Sequence, residues 1–426
     1  MSVATRAAER VRALDRPLAL LAAMAFMTQL GVAVMLPLLP LYAQSLGASP
    51  FVLGLLVSGF AVALAAGQLA GGFLTEAFAA RRLVVAGMAV YALANVVIAG
   101  ATAAAQLIAM RAAAGAGAGV SQVAQRLYVI EVADRARLAF SNGVLSAAGS
   151  AGSVAGPTIG GILAAIGDLR VPFVVVGITS LAAAIAGWFL PTPAGRQVAR
   201  PGGPAATPPD VPAGTGTLDR PATPVLPGRP IGGRRVAVGR VLVVLFVVQL
   251  AFQAAFGAFI TTYGPFADAR LGWSTAEIGL VFSLFGLGSV LLGPPLARRA
   301  DRHGRRVFGI IGCLLILPFG LVYVAELPRL ILYPVTVIGG AGVTTLEASW
   351  YALLGDATDG GRRGRAFGTV VALSSLGIVI GATVASQLWE RTGDVGLGMI
   401  VASAAIGLGA VALFFHPSDR RPGPNP

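Results

Sequence analysis

The sequence contains no lysine; all 31 of its basic side chains are arginine. It has one cysteine, Cys313, two histidines, and only 12% charged residues across 426 positions. Without lysine there is no G-x-x-x-x-G-K-[ST] phosphate loop, so the chain has no P-loop ATPase domain of its own. A single cysteine forbids an intramolecular disulfide, and its place in an apolar run makes it a small core residue. His303 and His416 stand at the ends of apolar runs. No plausible nucleophile with a base and no metal-ligating cluster accompanies them, so no enzyme activity, metal or cofactor is expected. With so few charges the chain cannot cover a water-soluble surface of this size.

What is abundant is apolar length: 56% of residues are hydrophobic and the mean hydropathy is +0.80. A bilayer core needs about 20 apolar residues per helix. Such runs begin with a first span ending near Tyr42 and continue near 51–75, 83–101, 105–130, 138–166 and 172–190. They resume near 241–264, 275–297, 307–325, 330–354, 366–388 and 395–415. Open sheets cannot span lipid, so the expected fold class is an all-α membrane protein of twelve transmembrane helices. The first run is too long for the apolar stretch of a cleaved signal peptide.

Residues 1–16 form a short basic lead, 17–190 a first six-helix bundle, 241–415 a second, and 416–426 a tail. Between the bundles, 191–240 holds eleven prolines and seven arginines, a composition that cannot bury a core and reads as a disordered linker. The halves echo each other at Ala118-Gly119-Val120 and Ala341-Gly342-Val343, at Asp134 and Asp356, and at Arg137 with Phe140 and Arg365 with Phe367. A duplicated six-helix unit is the economical explanation, giving two pseudo-symmetric bundles. If the N-terminus is cytoplasmic, inner segments hold 25 of the 31 arginines and outer loops only Arg170, Arg270, Arg329 and Arg391. The positive-inside rule then puts both termini in the cytoplasm of a cell-membrane protein. The same distribution makes the formal net charge of +13 an anchor beside anionic lipid and not a nucleic-acid surface.

Within 138–166, Gly149, Gly152, Gly156 and Gly160 fall on one narrow arc of a helix, a groove that lets a neighbouring backbone come close. The order Gly152-xxx-Gly156-Pro157-xx-Gly160-Gly161 resembles the fifth-helix signature of drug/proton antiporters in the major facilitator superfamily. The loop Asp301-Arg302-His303-Gly304-Arg305-Arg306 is similar to that superfamily's D-R-x-G-R-R motif. In the family it is thought to lock the halves on the cytoplasmic side. The first-half copy is degraded, with Glu76 for aspartate and Ala79 for glycine. Arg111 with Gly115 and Gly117 resembles the R-x-x-x-G-x-G pattern of proton-coupled members. The resemblance implies export of a small-molecule substrate, with protons as partner, by a monomer. A sugar or metabolite exporter, an uptake symporter, and a membrane receptor or scaffold remain alternatives.

A charge at mid-bilayer costs about 2.5 to 3.5 kcal/mol and is a functional candidate by default. Arg111, Gly115, Ala118, Gln122, Gln125 and Arg126 share one helix face and read as a stripe lining a wet cavity; snorkelling of Arg111 to the outer interface is the alternative. In the superfamily spans one, four, seven and ten line the central cavity. Span ten supplies the only acid well inside any span, Glu347, with Tyr333 and Tyr351 on its face; span seven supplies Gln249, Gln253, Phe256 and Tyr263, and span one Gln29. Aromatic and amide groups in an apolar cavity suit an amphipathic or aromatic solute. Aligning Asp134 with Asp356 puts Glu347 at the depth of Gln125 and Arg126. That suggests a Glu347–Arg126 pair when the cytoplasmic side closes, coupling proton uptake to the change of shape. Alternatively Glu347 pairs within its own half and is structural.

Overall fold

A computed structural model describes residues 16–132, 138–190, 232–357, 370 and 373–416, and these residues form helices joined by short turns. Asp134, Arg137, Arg365 and Phe367, most of the 191–240 linker, and most of both terminal segments lie outside these residues. The first half comprises α1 (Arg16–Ser45), α2 (Pro50–Ala77), α3 (Ala80–Ala99), α4 (Ala104–Val132), α5 (Leu138–Ile166) and α6 (Val171–Gly187). The second comprises α7 (Gly232–Ala269), α8 (Thr275–Leu291), α9 (Gly293–His303), α10 (Arg305–Val324), α11 (Arg329–Ala357), α12 (Leu376–Thr392) and α13 (Gly396–Phe414).

Eight of these helices are each long and apolar enough to cross a membrane, and α8 with α9, bent by 41°, make a ninth crossing. The bend falls where Gly293, Pro294 and Pro295 interrupt the backbone ladder. α6 and α12 have 17 residues each and span about 25 Å. α4 has 29 residues but carries Arg111, Arg126 and Glu131, which lower its hydropathy. All three are packed between the longer spans, an arrangement consistent with twelve crossings in two six-helix bundles. α7 starts at Gly232, inside the stretch read as linker, and α12 ends four residues beyond the expected 388. The apolar pattern marks the lipid-facing part of a helix, not its polar first or last turns.

Glycines repeat the same contacts in both halves. In the first, α3 meets α4 at Gly87 and Gly117, and a Cβ on Gly117 would sit 2.7 Å from the Gly87 carbonyl oxygen. In the second, α10 meets α11 at Gly312 and Gly342, with the same 2.7 Å from Gly342 to the Gly312 oxygen. Gly115 against Phe60 and Leu64 corresponds to Gly340 against Phe285 and Ser289, at the same interval along the chain. Helices without an intervening side chain gain close van der Waals contact, the main cohesive term inside lipid. This register corrects the loop-based alignment: Gly342 corresponds to Gly117, not Gly119. Glu347 therefore stands level with Gln122, and Tyr351 with Arg126.

The groove of α5 receives α1. A Cβ on Gly156 would lie 2.8 Å from the Leu30 oxygen, and Gly152 and Gly160 abut Phe26 and Val34. The next face of α5 meets the other half: Pro157 and Gly161 press on Gly279 and Thr275 of α8. Equivalent contacts between α2 and α12 join Gly54 to Ala382 and Ser386. Loop 46–49 and its counterparts lie at the end where these two seams start. The opposite end carries Arg81, Arg82, Arg298, Arg299, Arg302, Arg305 and Arg306.

Candidate functional site

Among the described residues the two seams hold the halves together at one end. Across the α5–α8 seam the Thr158 hydroxyl donates to Ser283 Oγ at 2.7 Å, its N–H approaches the same oxygen at 3.2 Å, and the Thr275 hydroxyl donates to the Gly161 carbonyl at 3.0 Å. Across the α2–α12 seam the Phe51 N–H donates to Glu390 Oε2 at 2.9 Å. Val57, Ile260 and Ala382 with Leu36 and Ile378 form an apolar knot between the halves at this end. Toward the arginine-rich end the space between α1, α4, α5 and α8 opens into a cavity of about 750 Å³.

That cavity is polar on its first-half wall. Gln29, Gln122, Gln125 and Arg126 line it with Ser146, Ser150 and Ser153, while α8 contributes Gly286, Ser289 and Val290. Gln29 Nε2 reaches Ser153 Oγ at 3.4 Å, Gln122 accepts from Gln68, and Gln125 donates to Ser121. Arg126 is exposed in the opening, forms no ion pair with a described residue, and lies within electrostatic reach of Tyr351.

A second cavity, of about 260 Å³, sits among α7, α8, α10, α11 and α13. Six phenylalanine rings, Phe252, Phe256, Phe259, Phe282, Phe285 and Phe319, line it together with Gln253 and Glu347. Beyond it a stack of Tyr263, Tyr323, Trp273 and Tyr333 plugs the end away from the arginines, with ring centroids 5.7 to 6.0 Å apart. The Glu347 carboxylate has no hydrogen bond or ion pair with a described residue. A carboxylate facing apolar walls is costly to keep charged without a proton or a cation beside it.

The expected cavity residues thus divide into three groups. Gln29, Gln122, Gln125 and Arg126 share the polar wall; Gln253, Phe256 and Glu347 share the aromatic cavity. Gln249, Tyr263 and Tyr333 line neither: Gln249 and Tyr263 are buried, and Tyr333 packs on Trp273. Tyr351 stands 43% exposed, its ring 5.1 Å from Trp350. Trp350 itself ties α11 to α7 through a 2.7 Å bond to the Leu245 carbonyl.

Arg111 does not line the wet stripe and does not snorkel. It is 3% exposed inside the first bundle, its guanidinium 3.9 Å over the Phe60 ring and 3.2 Å from Met35 Sδ, while its Nε and the Tyr91 hydroxyl are buried with no well-formed hydrogen bond among the described residues. Gly115 faces α2 and Gly117 faces α3, so this part of α4 is a packing face. Of the six phenylalanines the sequence-based site includes only Phe256. Their signal was nonetheless present, since Phe252, Phe256 and Phe259 recur at i, i+4 and i+7, and Phe282 and Phe285 at i, i+3.

At the arginine-rich end the loop motif makes contacts within its own half. Gly304, at φ 112°, turns the chain from α9 into α10, a conformation that favours glycine. Arg306 donates to the carbonyls of Leu413 and Phe414 at the end of α13, and Arg305 approaches the Ala352 carbonyl of α11 at 3.4 Å. Cations there satisfy the last carbonyls and oppose the negative end of the helix dipole. Arg302 and Glu76 are exposed, and the Asp301 side chain lies outside the described positions. Among the described residues no three His, Cys, Asp or Glu side chains are placed to share a metal ion.

Residues 21–270 and 245–426 match the family model of the Major Facilitator Superfamily. The tetracycline resistance protein, class C, of Escherichia coli is 25% identical over 288 residues, 65% of this chain and 65% of that protein. The quinolone resistance protein NorA of Staphylococcus aureus is 28% identical over 160 residues, 38% of this chain and 41% of that protein. The matches thus span from about two fifths to just under two thirds of these relatives' length. Among solved structures, the nucleoside transporter NupG superposes with a TM-score of 0.71 over 94% of this chain and 98% of its own at 11% identity. A bacterial homologue of the human lysosomal transporter Spinster, described as inward-facing and occupied, gives 0.73 over 94% and 96% at 13% identity. At such identity these likenesses speak for the fold alone. Family model, helix count, duplicated packing and a cavity closed at one end agree: the chain belongs to the Major Facilitator Superfamily.

Proposed function

We propose that the chain is a secondary active transporter that exports small amphipathic, drug-like molecules across the cytoplasmic membrane by alternating access, in exchange for protons. The observation that carries this reading is the one-ended opening between the halves, with both seams at the end opposite the arginines. With the arginine-rich end in the cytoplasm, by the positive-inside rule, the conformation is open to the cell interior. Both termini are then cytoplasmic, the linker joins the bundles on that side, and a monomer suffices, since each half supplies one wall.

The substrate class follows from the walls. Six phenylalanines and one unpaired carboxylate favour an aromatic body carrying a positive charge, through ring stacking and cation–π attraction. The relatives named for tetracycline and quinolone resistance support export of drug-like compounds. Proton exchange rests on Glu347 and Arg126. In the present opening they are apart, and Arg126 stands one helical turn from the Glu347 level. Closing the cytoplasmic end brings the guanidinium toward the carboxylate and favours its ionised form; opening releases it to take up a proton. The polar wall of Gln29, Gln122 and Gln125 favours the second reading, a sugar or metabolite carrier of the same family.

The test is fluorescent-cation uptake into inverted vesicles under an imposed proton gradient. Uptake abolished by a protonophore and by Glu347→Gln is expected. Uptake of a neutral sugar or nucleoside, but of no cation, would favour the second reading. No flux of any solute through purified protein in liposomes would leave a receptor or scaffold.

A further inference from the structure

The two seams are related by the same repeat, yet their helix N-termini are capped differently. α8 begins at Ser274 (φ −66°, ψ 157°) and caps itself: Glu277 N–H donates to Ser274 Oγ, and Ser274 N–H donates to Glu277 Oε2 at 3.0 Å. α2 begins at Ser49 with nearly the same backbone (φ −71°, ψ 161°), but Ser49 makes no side-chain cap. In the repeat, Val52 occupies the place of Glu277, so no capping box can form. Pro50 has no N–H, which leaves Phe51 as the first orphan donor of α2. Its N–H is satisfied by Glu390 of α12, in the other half, at 2.9 Å. The position on α5 that corresponds to Glu390 is Ala165, so the α5–α8 seam has no such carboxylate.

We infer that Glu390 is a latch for the α2–α12 seam, a positioning residue that biases the protein toward the conformation open at the arginine-rich end. The inference rests on the alternating-access reading. One turn from the latch, Gly54 packs on Ala382 and Ser386, so α2 cannot leave α12 without giving up its only N-terminal carboxylate. α8, capped in its own half, leaves α5 with its cap intact. Separation at this end is therefore opposed at one seam by a carboxylate facing the positive end of a helix dipole, a contact that exists in only one of the two states.

The experiment measures the distance across this end by electron–electron resonance between spin labels at Ala103→Cys and Arg391→Cys, both exposed, with the buried Cys313 left in place. In lipid nanodiscs the unaltered background should show a major short distance and a minor long one. Glu390→Ala is expected to raise the long-to-short ratio by about twofold to thirtyfold, the range that loss of an N-terminal cap spans. Adding Val52→Glu to Glu390→Ala supplies the box that α8 has. It should recover the thermal stability lost with Glu390 and leave the state ratio shifted. An unchanged ratio in Glu390→Ala would overturn the latch, as would a ratio fully restored by Val52→Glu, which would make Glu390 a mere cap. A single distance in every variant and at every pH would overturn the alternating-access reading itself, and the latch with it.

Discussion

Arg111 and Thr336 occupy corresponding places on α4 and α11, one in each half, and both are buried at 3% exposure or less. Thr336 is fully satisfied: it shares a 2.8 Å hydrogen bond with the Tyr323 hydroxyl and donates to the Leu332 carbonyl at 2.8 Å. Among the described residues Arg111 Nε and the nearby Tyr91 hydroxyl make no well-formed hydrogen bond. Further along the same helices Gln122 answers to Glu347, the one hydrogen-bonded to Gln68, the other bare among phenylalanines. One packing scheme thus carries opposite charge chemistry. The first half hides a cation in its bundle and shows amides and Arg126 to its cavity; the second hides a hydroxyl and shows a carboxylate beside Gln253. The glycine contacts are common to both because they set helix spacing, while the polar positions are free to diverge because spacing does not depend on them.

The largest expected effect comes from moving the acid. Glu347→Gln should lower gradient-driven uptake by about tenfold or more, equivalent to about 1.4 kcal/mol on the barrier. The double variant Gln122→Glu with Glu347→Gln should fail to recover it, because the aromatic wall stays in the second half. Recovery in inverted vesicles would mean that the halves are interchangeable and the comparison is empty. Next come the shared contacts. Gly117→Val and Gly342→Val each push a side chain into a facing backbone, and each should cost about 1 to 3 kcal/mol or more by overpacking. Thermal unfolding in detergent should show similar losses; a large loss in one half alone would break the proposed register.

Arg111 and Thr336 should then respond with opposite signs. Thr336→Val strands the Tyr323 hydroxyl and should destabilise by about 1 to 3 kcal/mol. Arg111→Met removes a buried, unpaired cation, so stability should be unchanged or rise. Flux through Arg111→Met is the sharper reading. Lost transport in a protein of equal or higher melting temperature would mean that the arginine is kept for function, whereas full transport would make it a packing residue.

Much of this was legible from the chain. The apolar runs predicted the crossings because a bilayer imposes a length, and the arc of Gly149, Gly152, Gly156 and Gly160 predicted a close helix neighbour because only missing side chains permit one. Three things were not. The repeat register differs by two to three residues from the loop-based alignment because loop identities such as Asp134 and Asp356 drift with loop length, while helix contacts such as Gly117 and Gly342 do not. The burial of Arg111 is not legible, because a helical wheel gives direction but not the depth of the neighbours. The aromatic cavity was only partly seen because its rings come from α7, α8 and α10, which no single periodicity joins.

The smallest expected effect concerns ion pairs at the end away from the arginine belt, which the described residues show only in the second half. Arg270 donates to Glu326 at 2.8 Å, with both side chains 41 to 50% exposed, and reaches Asp394 at 3.9 Å. Ser45 and Ala101 hold the corresponding places in the first half, so nothing pairs there. Exposed pairs contribute about 0 to 1 kcal/mol and are screened by salt. Arg270→Gln should therefore lower the melting temperature slightly in dilute buffer and not at all at about 1 M salt, where the Debye length falls to about 3 Å. Both outcomes leave the seams untouched, because Arg270, Glu326 and Asp394 all belong to the second half. A change in transport from this variant would instead mean that the loops of that half move against the first during the cycle, placing the asymmetry in the loops as well as in the cavity.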